Sequence, residues 1–290
     1  MYEFKGKKVT VMSCSNCNIK CKHCYVSYKG NFSGEQLYDI CNKLKDKYQL
    51  NINGTEVLLH RDYFQSFCLI GQKRILSNGV IINQDDTILV EIKNSTIEMV
   101  AMSYHFGIHQ EISPVEQEIL ISNIKKLQAN NIKVELMCTV TQANYDKILN
   151  VCESVVALNV HKVRFINYLK TGNALYMEDN NILTSGQKIE FFRQLNLARE
   201  KYAEEELLIK RCGSFGMDHN HYCNFSCSAG YEEVVIAPDL KVYPCIYLVK
   251  PGLDIGKYED GKVIIDKEIT HDRQHCLANN IFNKDEKFRI

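Results

Sequence analysis

The chain has 290 residues, 45% of them hydrophobic, and 35 basic and 35 acidic side chains that cancel to a net charge of 0. That length holds one large domain or two smaller ones, and the apolar share supports a sizeable core. No basic surplus points to nucleic acid, and no stretch of about 18 apolar residues is present to cross a membrane. Residues Met1 to Lys8 lack the apolar core of a signal peptide. Thirteen cysteines then read as metal ligands rather than disulfides. The expected setting is cytoplasmic, where thiols stay reduced.

The apolar run Lys8–Ser13 reads as a first strand that ends at a dense group of cysteines. Ser33-Gly34-Glu35-Gln36 is a capping box and opens a helix to about Tyr48. Asn51–Val57 and Lys73–Ser77 read as the next strands, and Asn83 as the cap of a helix Gln84–Lys93. Strand Glu98–Ser103 precedes a helix Pro114–Asn130, where Ser113, Pro114 and Glu116 stand as cap, first-turn proline and acidic partner. Strand Lys133–Val140 leads to a helix from Asn144 to about Ala157. Strand Lys162–Asn167 leads to one opened by Thr184-Ser185-Gly186-Gln187 and running to about Tyr202. Strand alternating with helix predicts a parallel sheet with right-handed crossovers. The fold class is α/β, a partial (β/α) barrel of about six units over residues 1–205. Functional groups should gather where its strands end.

The pattern changes after about Glu206. Short strands read at Leu207–Lys210, Glu233–Ala237 and Lys241–Tyr243, the last two joined as a hairpin by Pro238-Asp239-Leu240-Lys241, and cysteines return. Residues 206–290 therefore read as a second, smaller cluster-binding module of α+β type.

The most specific motif is Cys17-Asn18-Ile19-Lys20-Cys21-Lys22-His23-Cys24, with its C-x₃-C-x₂-C spacing. Three thiolates on one tight loop hold three corners of a cubic 4Fe–4S cluster. Such cubes ordinarily take four cysteines, so the fourth iron is left open to another ligand. A zinc reading stays open beside it, because Cys14 with Cys17 and Cys21 with Cys24 make two C-x₂-C pairs.

The spacing resembles the signature of the radical S-adenosylmethionine enzymes. The resemblance implies that the open iron chelates S-adenosylmethionine, that one electron cleaves the sulfonium, and that the resulting 5′-deoxyadenosyl radical takes a hydrogen atom from substrate. Further segments fall at successive strand ends in family order. Asn53-Gly54-Thr55-Glu56-Val57 is similar to the family's Gly-Gly-Glu-Pro, with Thr55 and Val57 departing from it. It implies that Gly54 and Glu56 meet the methionine amino group. Ser77-Asn78-Gly79 resembles Thr-Asn-Gly near the cofactor. Ser103 resembles the serine of Ser-Leu-Asp-Gly, although Ser103-Tyr104-His105-Phe106-Gly107 lacks the Asp. Asn144 stands where the family often has Asn. The cofactor-binding expectation is thus Gly54, Glu56, Ser77, Ser103 and Asn144. His105 and His109 on one loop are candidates to face substrate, and Arg164 to meet a carboxylate.

The run from Cys227-Ser228-Ala229-Gly230 to Val242-Tyr243-Pro244-Cys245 is similar to the SPASM and twitch extensions, which bind auxiliary 4Fe–4S clusters around a hairpin. Here Leu240 replaces the hairpin glycine. The resemblance implies Cys223, Cys227, Cys245 and Cys276 as ligands of a single auxiliary cluster, with zinc as the alternative for four thiolates. The expected cofactors are two 4Fe–4S clusters and S-adenosylmethionine. Cys41, Cys68, Cys138 and Cys152 sit in apolar patterns and read as core. Cys212 is the candidate catalytic thiol, a hydrogen-atom donor or spare ligand.

The family analogy favours a ribosomally made peptide as substrate, changed by cross-linking, epimerisation or oxidation, with an external low-potential electron donor. Only 16 residues precede Cys17, too few for an N-terminal peptide-recognition domain. The alternatives are a dehydrogenase of a small molecule such as an aminosugar and, in another class, a non-catalytic zinc- or cluster-stabilised binding module.

Overall fold

The computed structural model describes residues 1–178, 181–212, 215 and 226–283. Its strands are β1 (Tyr2–Glu3), β2 (Lys8–Met12), β3 (Gln49–Asn53), β4 (Arg74–Ser77), β5 (Met99–Ser103), β6 (Lys133–Val140), β7 (Lys162–Asn167), β8 (Leu208–Arg211), β9 (Glu233–Ile236), β10 (Lys241–Tyr243), β11 (Gly256–Glu259) and β12 (Lys262–Ile265). The helices are α1 (Gly34–Leu44), α2 (Phe64–Leu69), α3 (Val80–Gln84), α4 (Thr87–Lys93), α5 (His109–Ile112), α6 (Gln117–Ala129), α7 (Ile148–Ala157), α8 (Ser185–Lys201) and α9 (Leu277–Phe282).

Strands β4 to β8 form one parallel sheet in chain order. A second sheet runs β1-β12-β11-β10-β9-β2-β3. Its β2 pairs parallel with β3 on one side and with β9 on the other. From β9 onward the pairing is antiparallel. Together β2 to β8 make a curled, half-barrel wall of α/β type, as the alternation predicts. The wall has one seam, because β3 and β4 share no ladder. There the side chain of Gln72 takes the place of a strand's peptide group. It accepts from Ile52 N at 2.7 Å and donates to Ile52 O at 2.8 Å. Strand β2 is buried on both faces, Val9 and Val11 on one and Thr10 and Met12 on the other, as a central parallel strand should be.

Local chemistry explains which boundaries follow the sequence. Ser33 accepts from Gln36 N while Gln36 reaches back to Ser33 N, and Thr184 and Gln187 repeat the pattern, so both capping boxes form. Each cap contributes about 1 kcal/mol. The single helix expected at Gln84–Lys93 is two. Asp85 is extended and accepts from Thr87 N at 2.9 Å, a local bond that interrupts the helix. Helix α6 starts at Gln117, not Pro114, because the Ser113 hydroxyl closes a turn onto Val115 N and caps nothing further on. Helix α7 starts at Ile148, not Asn144, whose buried amide accepts from Thr141 N and donates to Thr139 O.

Two further differences concern the C-terminal half. The strand read at Leu207–Lys210 is β8, and it pairs parallel with β7, so it extends the barrel wall. Strands β11 and β12 are a hairpin turned by Asp260 and Gly261, both with positive φ. Cys41, Cys138 and Cys152 are buried as expected, but Cys68 is exposed.

Leu240, in the family's hairpin glycine position, has φ +60° and is 44% exposed. Left-handed backbone costs a non-glycine residue about 1 kcal/mol, and little packing is lost on truncation here. Leu240→Gly is expected to raise stability by about 0.5 kcal/mol after glycine's unfolded-state entropy is set against the relief. A lower urea midpoint for that variant would show that the Leu240 side chain holds the hairpin.

Candidate active site at the cysteine loop

The cysteine loop hangs from the end of β2, at the carboxyl ends of the parallel strands. Two neighbouring segments hold it by its backbone. Asn173 donates from its N to Cys24 O at 2.8 Å and from its side chain to Cys21 O at 3.0 Å. Gly172, at φ +63°, lies so close that a Cβ there would strike Cys24 O and Tyr25. On the other side Lys22 N donates to Ile112 O at 3.0 Å.

Cys17, Cys21 and Cys24 are half-buried. Burial raises all three thiols, and Cys21 is pushed up to about 12, further raised by the charges of Cys24 and Cys17. Donors surround the sulfurs. Asn78 Nδ2 lies 3.5 Å from Cys17 Sγ, Ser113 bonds Cys21, and the amides of Ile19 and Val26 serve Cys17 and Cys24. Three mutually repelling thiols ringed by N–H and O–H donors suit thiolates that share a cationic centre. Among the described residues no three His, Cys, Asp or Glu side chains close around a point for one metal ion. Cys14 belongs elsewhere. It is fully buried in the main core, whereas the three loop cysteines are half-buried.

Glu56 is fully buried. It accepts from Asn78 N at 2.6 Å, Ser77 Oγ at 3.2 Å and Leu58 N at 3.3 Å, so it ties the end of β3 to the end of β4. Desolvation nevertheless lifts its pKa to about 7. Its charge is felt at Cys17. A fully buried carboxylate thus stands beside the cysteine loop.

The other expected cofactor residues stand as follows. Ser77 is buried against Glu56 and also accepts from Gly79 N. Ser103 ends β5, half-buried, level with Met137 and Arg164 in the sheet register. Gly54 is needed for a different close approach from the one expected: a Cβ there would lie 2.7 Å from Cys14 Sγ. Asn144 commits its amide to Thr139, Thr141 and the loop at Phe106.

His105 and His109 are buried and stacked at 5.4 Å, with His23 edge-on to His105 at 4.4 Å. Thr139 N donates to His105 Nδ1 and His105 N donates to His109 Nδ1, so in the neutral rings each Nε2 carries the hydrogen. Burial keeps all three imidazoles neutral, with His23 lowered to about 4.

A second cysteine group lies in the C-terminal module. Cys227, Cys245 and Cys276 pack in one small core, and the charges of Cys276 and Cys227 act on Cys245. Cys276 stands at the N-cap position of α9; burial pushes its thiol up to about 12, and the nearby amides of Asn279 and Ala278 pull the other way. Cys223 lies outside the described residues. Cys212 follows β8, with Sγ 3.5 Å from Tyr247 Oη, and its charge acts on Cys276. Tyr247 meets Tyr25 edge-on at 4.8 Å. Tyr25 follows Cys24 directly, so this aromatic pair joins the two cysteine groups. Sequence reading passed over both tyrosines, although each stands one or two residues from an expected ligand.

No known family profile matches this sequence, and no curated protein sequence does. Solved structures match well. The structure of Streptococcus suis SuiB bound to precursor peptide SuiA superposes with a TM-score of 0.69 at 13% identity, over 86% of this chain and 61% of SuiB. Native anSMEcpe with bound AdoMet and the Cp18Cys peptide gives 0.64 at 18% identity, over 87% of this chain and 77% of that one. A tagged anSMEcpe with AdoMet gives 0.65 at 17%, over 96% and 82%. The chain spans about three fifths of the length of the SuiB chains it matches. At such identities the likeness is one of fold alone.

Proposed function

We propose that the chain is a two-cluster radical S-adenosylmethionine enzyme that modifies a ribosomally made peptide. The observation that carries the reading is the loop of Cys17, Cys21 and Cys24: three coupled thiols, ringed by donors, at the carboxyl ends of a parallel half-barrel. When bound, a 4Fe–4S cluster supplies the electron that splits S-adenosylmethionine, and the 5′-deoxyadenosyl radical takes a hydrogen atom from substrate. Glu56 accepts the cofactor's ammonium, and Gly54, Ser77, Ser103 and Asn144 shape the strand ends around it. Residues 206–290 act as a twitch-like module in which Cys223, Cys227, Cys245 and Cys276 hold the auxiliary cluster, while β8 of that segment completes the barrel wall. The peptide is supported by the neighbours crystallised with peptides, SuiB with SuiA and anSMEcpe with Cp18Cys.

Anaerobic reconstitution with iron and sulfide, then reductant and S-adenosylmethionine, tests the reading. Slow release of 5′-deoxyadenosine and methionine is expected. A fully loaded chain that releases neither is a binding module, and stoichiometric zinc in anaerobically purified protein removes the cluster altogether.

Cys212 acts as the final hydrogen-atom donor in this reading. Its S–H bond gives a hydrogen atom to the substrate carbon radical, and the thiyl left behind is reset by one electron and one proton, the electron coming from an external low-potential donor. Cys212→Ala is expected to keep both clusters and to form 5′-deoxyadenosine, yet to leave a redox-neutral product incomplete. Loss of iron in this variant would make Cys212 a ligand instead.

A further inference from the structure

The concave face of the half-barrel carries an excess of positive charge below the Ser103 strand end. Glu135 on β6 is fully buried and takes three cations. Arg164 Nε lies 2.7 Å from its Oε1. Arg74 Nε lies 2.5 Å and Lys162 Nζ 3.2 Å from its Oε2. Arg74 stands on β4, two strands away from β6, so its side chain crosses above β5 on the inner face to arrive there. Lys210 on β8 is the register partner of Arg164 and is exposed. Register partners in a parallel sheet share a face. Among the described residues one carboxylate thus stands with three cations bound to it and a fourth, Lys210, in register beside them.

That imbalance needs an explanation. Desolvating a charge is costly unless it is paired, so a purely structural ion cluster should come near neutrality. This one does not. Each arginine meets Glu135 through Nε; Arg74 turns one terminal nitrogen to the weak acceptor Met137 Sδ at 3.4 Å, and the terminal nitrogens of Arg164 face no acceptor among the described residues. Arg74 and Arg164 remain 31% and 33% exposed, so an incoming group can reach them. The register sets Arg164 beside Met137 and level with Ser103 two strands away.

We infer that Arg164, Arg74, Lys162 and Lys210 form an anion-binding floor that takes a carboxylate of the substrate, such as an acidic side chain or a C-terminus. This rests on the concave face being the reaction chamber. Glu135 then has two tasks. It orients both guanidinium groups, and it keeps the empty floor from carrying four uncompensated charges.

Glutarate, with glutaramide as the neutral control, serves as the probe, titrated into the whole chain and followed by ligand-observed NMR. Glutarate is expected to bind and glutaramide not to. Arg164→Gln and Lys210→Gln should each weaken glutarate about tenfold, the scale of one charged hydrogen bond. Glu135→Gln, if it folds, should tighten it severalfold, because the competing carboxylate is gone; Lys210, being exposed, gives a variant whose folding is not at stake. Equal binding of glutarate by the wild type, Arg164→Gln and Lys210→Gln would overturn the inference. So would a loss of S-adenosylmethionine affinity in Arg164→Gln with glutarate binding intact, since the floor would then serve the cofactor's own carboxylate. Failure of the wild type to release 5′-deoxyadenosine sinks the enzymatic reading instead, a result separate from the probe titration.

Discussion

Replacing Cys17, Cys21 and Cys24 together by Ala is expected to remove about four of about eight irons and to abolish S-adenosylmethionine cleavage. The loop should keep its place, because Asn173 and Lys22 hold its backbone rather than its thiols. The fold should survive for the same reason: all three side chains are half-buried and outside the main core. The remaining cluster, held in the module of Cys227, Cys245 and Cys276, should still give an absorbance near half of the original. Iron analysis and 5′-deoxyadenosine release measure the two effects separately. Complete loss of iron would mean that the groups assemble together, and full retention would mean that the triplet holds none.

Glu56→Gln is the second large effect. Removing the carboxylate should cost S-adenosylmethionine about 10- to 100-fold in affinity, since a hydrogen bond to a charged group contributes roughly 1.5–3 kcal/mol. The same residue gives a pH signature without any ligand. Burial raises Glu56 from its ordinary 4.5 to about 7, so the fold prefers the neutral acid. Stability from this group is full below about 4.5 and is lost as pH rises through about 7, about 3 kcal/mol in all. His23, His105 and His109 act in the opposite sense, because burial favours their neutral forms and stability falls as pH drops below the ordinary 6.5. The difference between wild type and Glu56→Gln cancels the histidines. Denaturant midpoints of the two proteins should therefore change relative to each other across pH 4.5–8, with the wild type losing ground toward high pH. Parallel curves would show that Glu56 is ionised throughout.

The barrel was readable because its signals are local. Ser33 with Gln36 and Thr184 with Gln187 name their helices within four residues, and β2 and β4 to β7 lie within a residue or two of the apolar runs that announce them. The cysteine triplet is local too, so its grouping followed from spacing alone. What escaped depends on distant partners. Nothing near Leu208 says that its strand will lie beside Val163's rather than in the module that follows. Glu135, Arg74 and Arg164 come from three strands and meet only across the curvature of the sheet. Gly54 announces a close approach, yet only the fold shows that Cys14 makes it. Asp260-Gly261 is a different case: a two-residue turn flanked by alternating apolar residues is a strong local hairpin signal, and it was there to be read.

The position of β2 between β3 and β9 has a bearing on synthesis. The strand that carries the cysteine loop gains one neighbour about 40 residues later and the other more than 220 residues later. A growing chain therefore keeps Val9 to Val11 as an open edge until Glu233–Ile236 has left the ribosome. Pairing over such a separation is slow, because the loop between must be closed first. The wall behind the triplet can be finished once Ile236 is made, after Cys227 but before Cys245 and Cys276. Translation order thus leaves the strand under the cysteine loop without its second neighbour until most of the chain has been made.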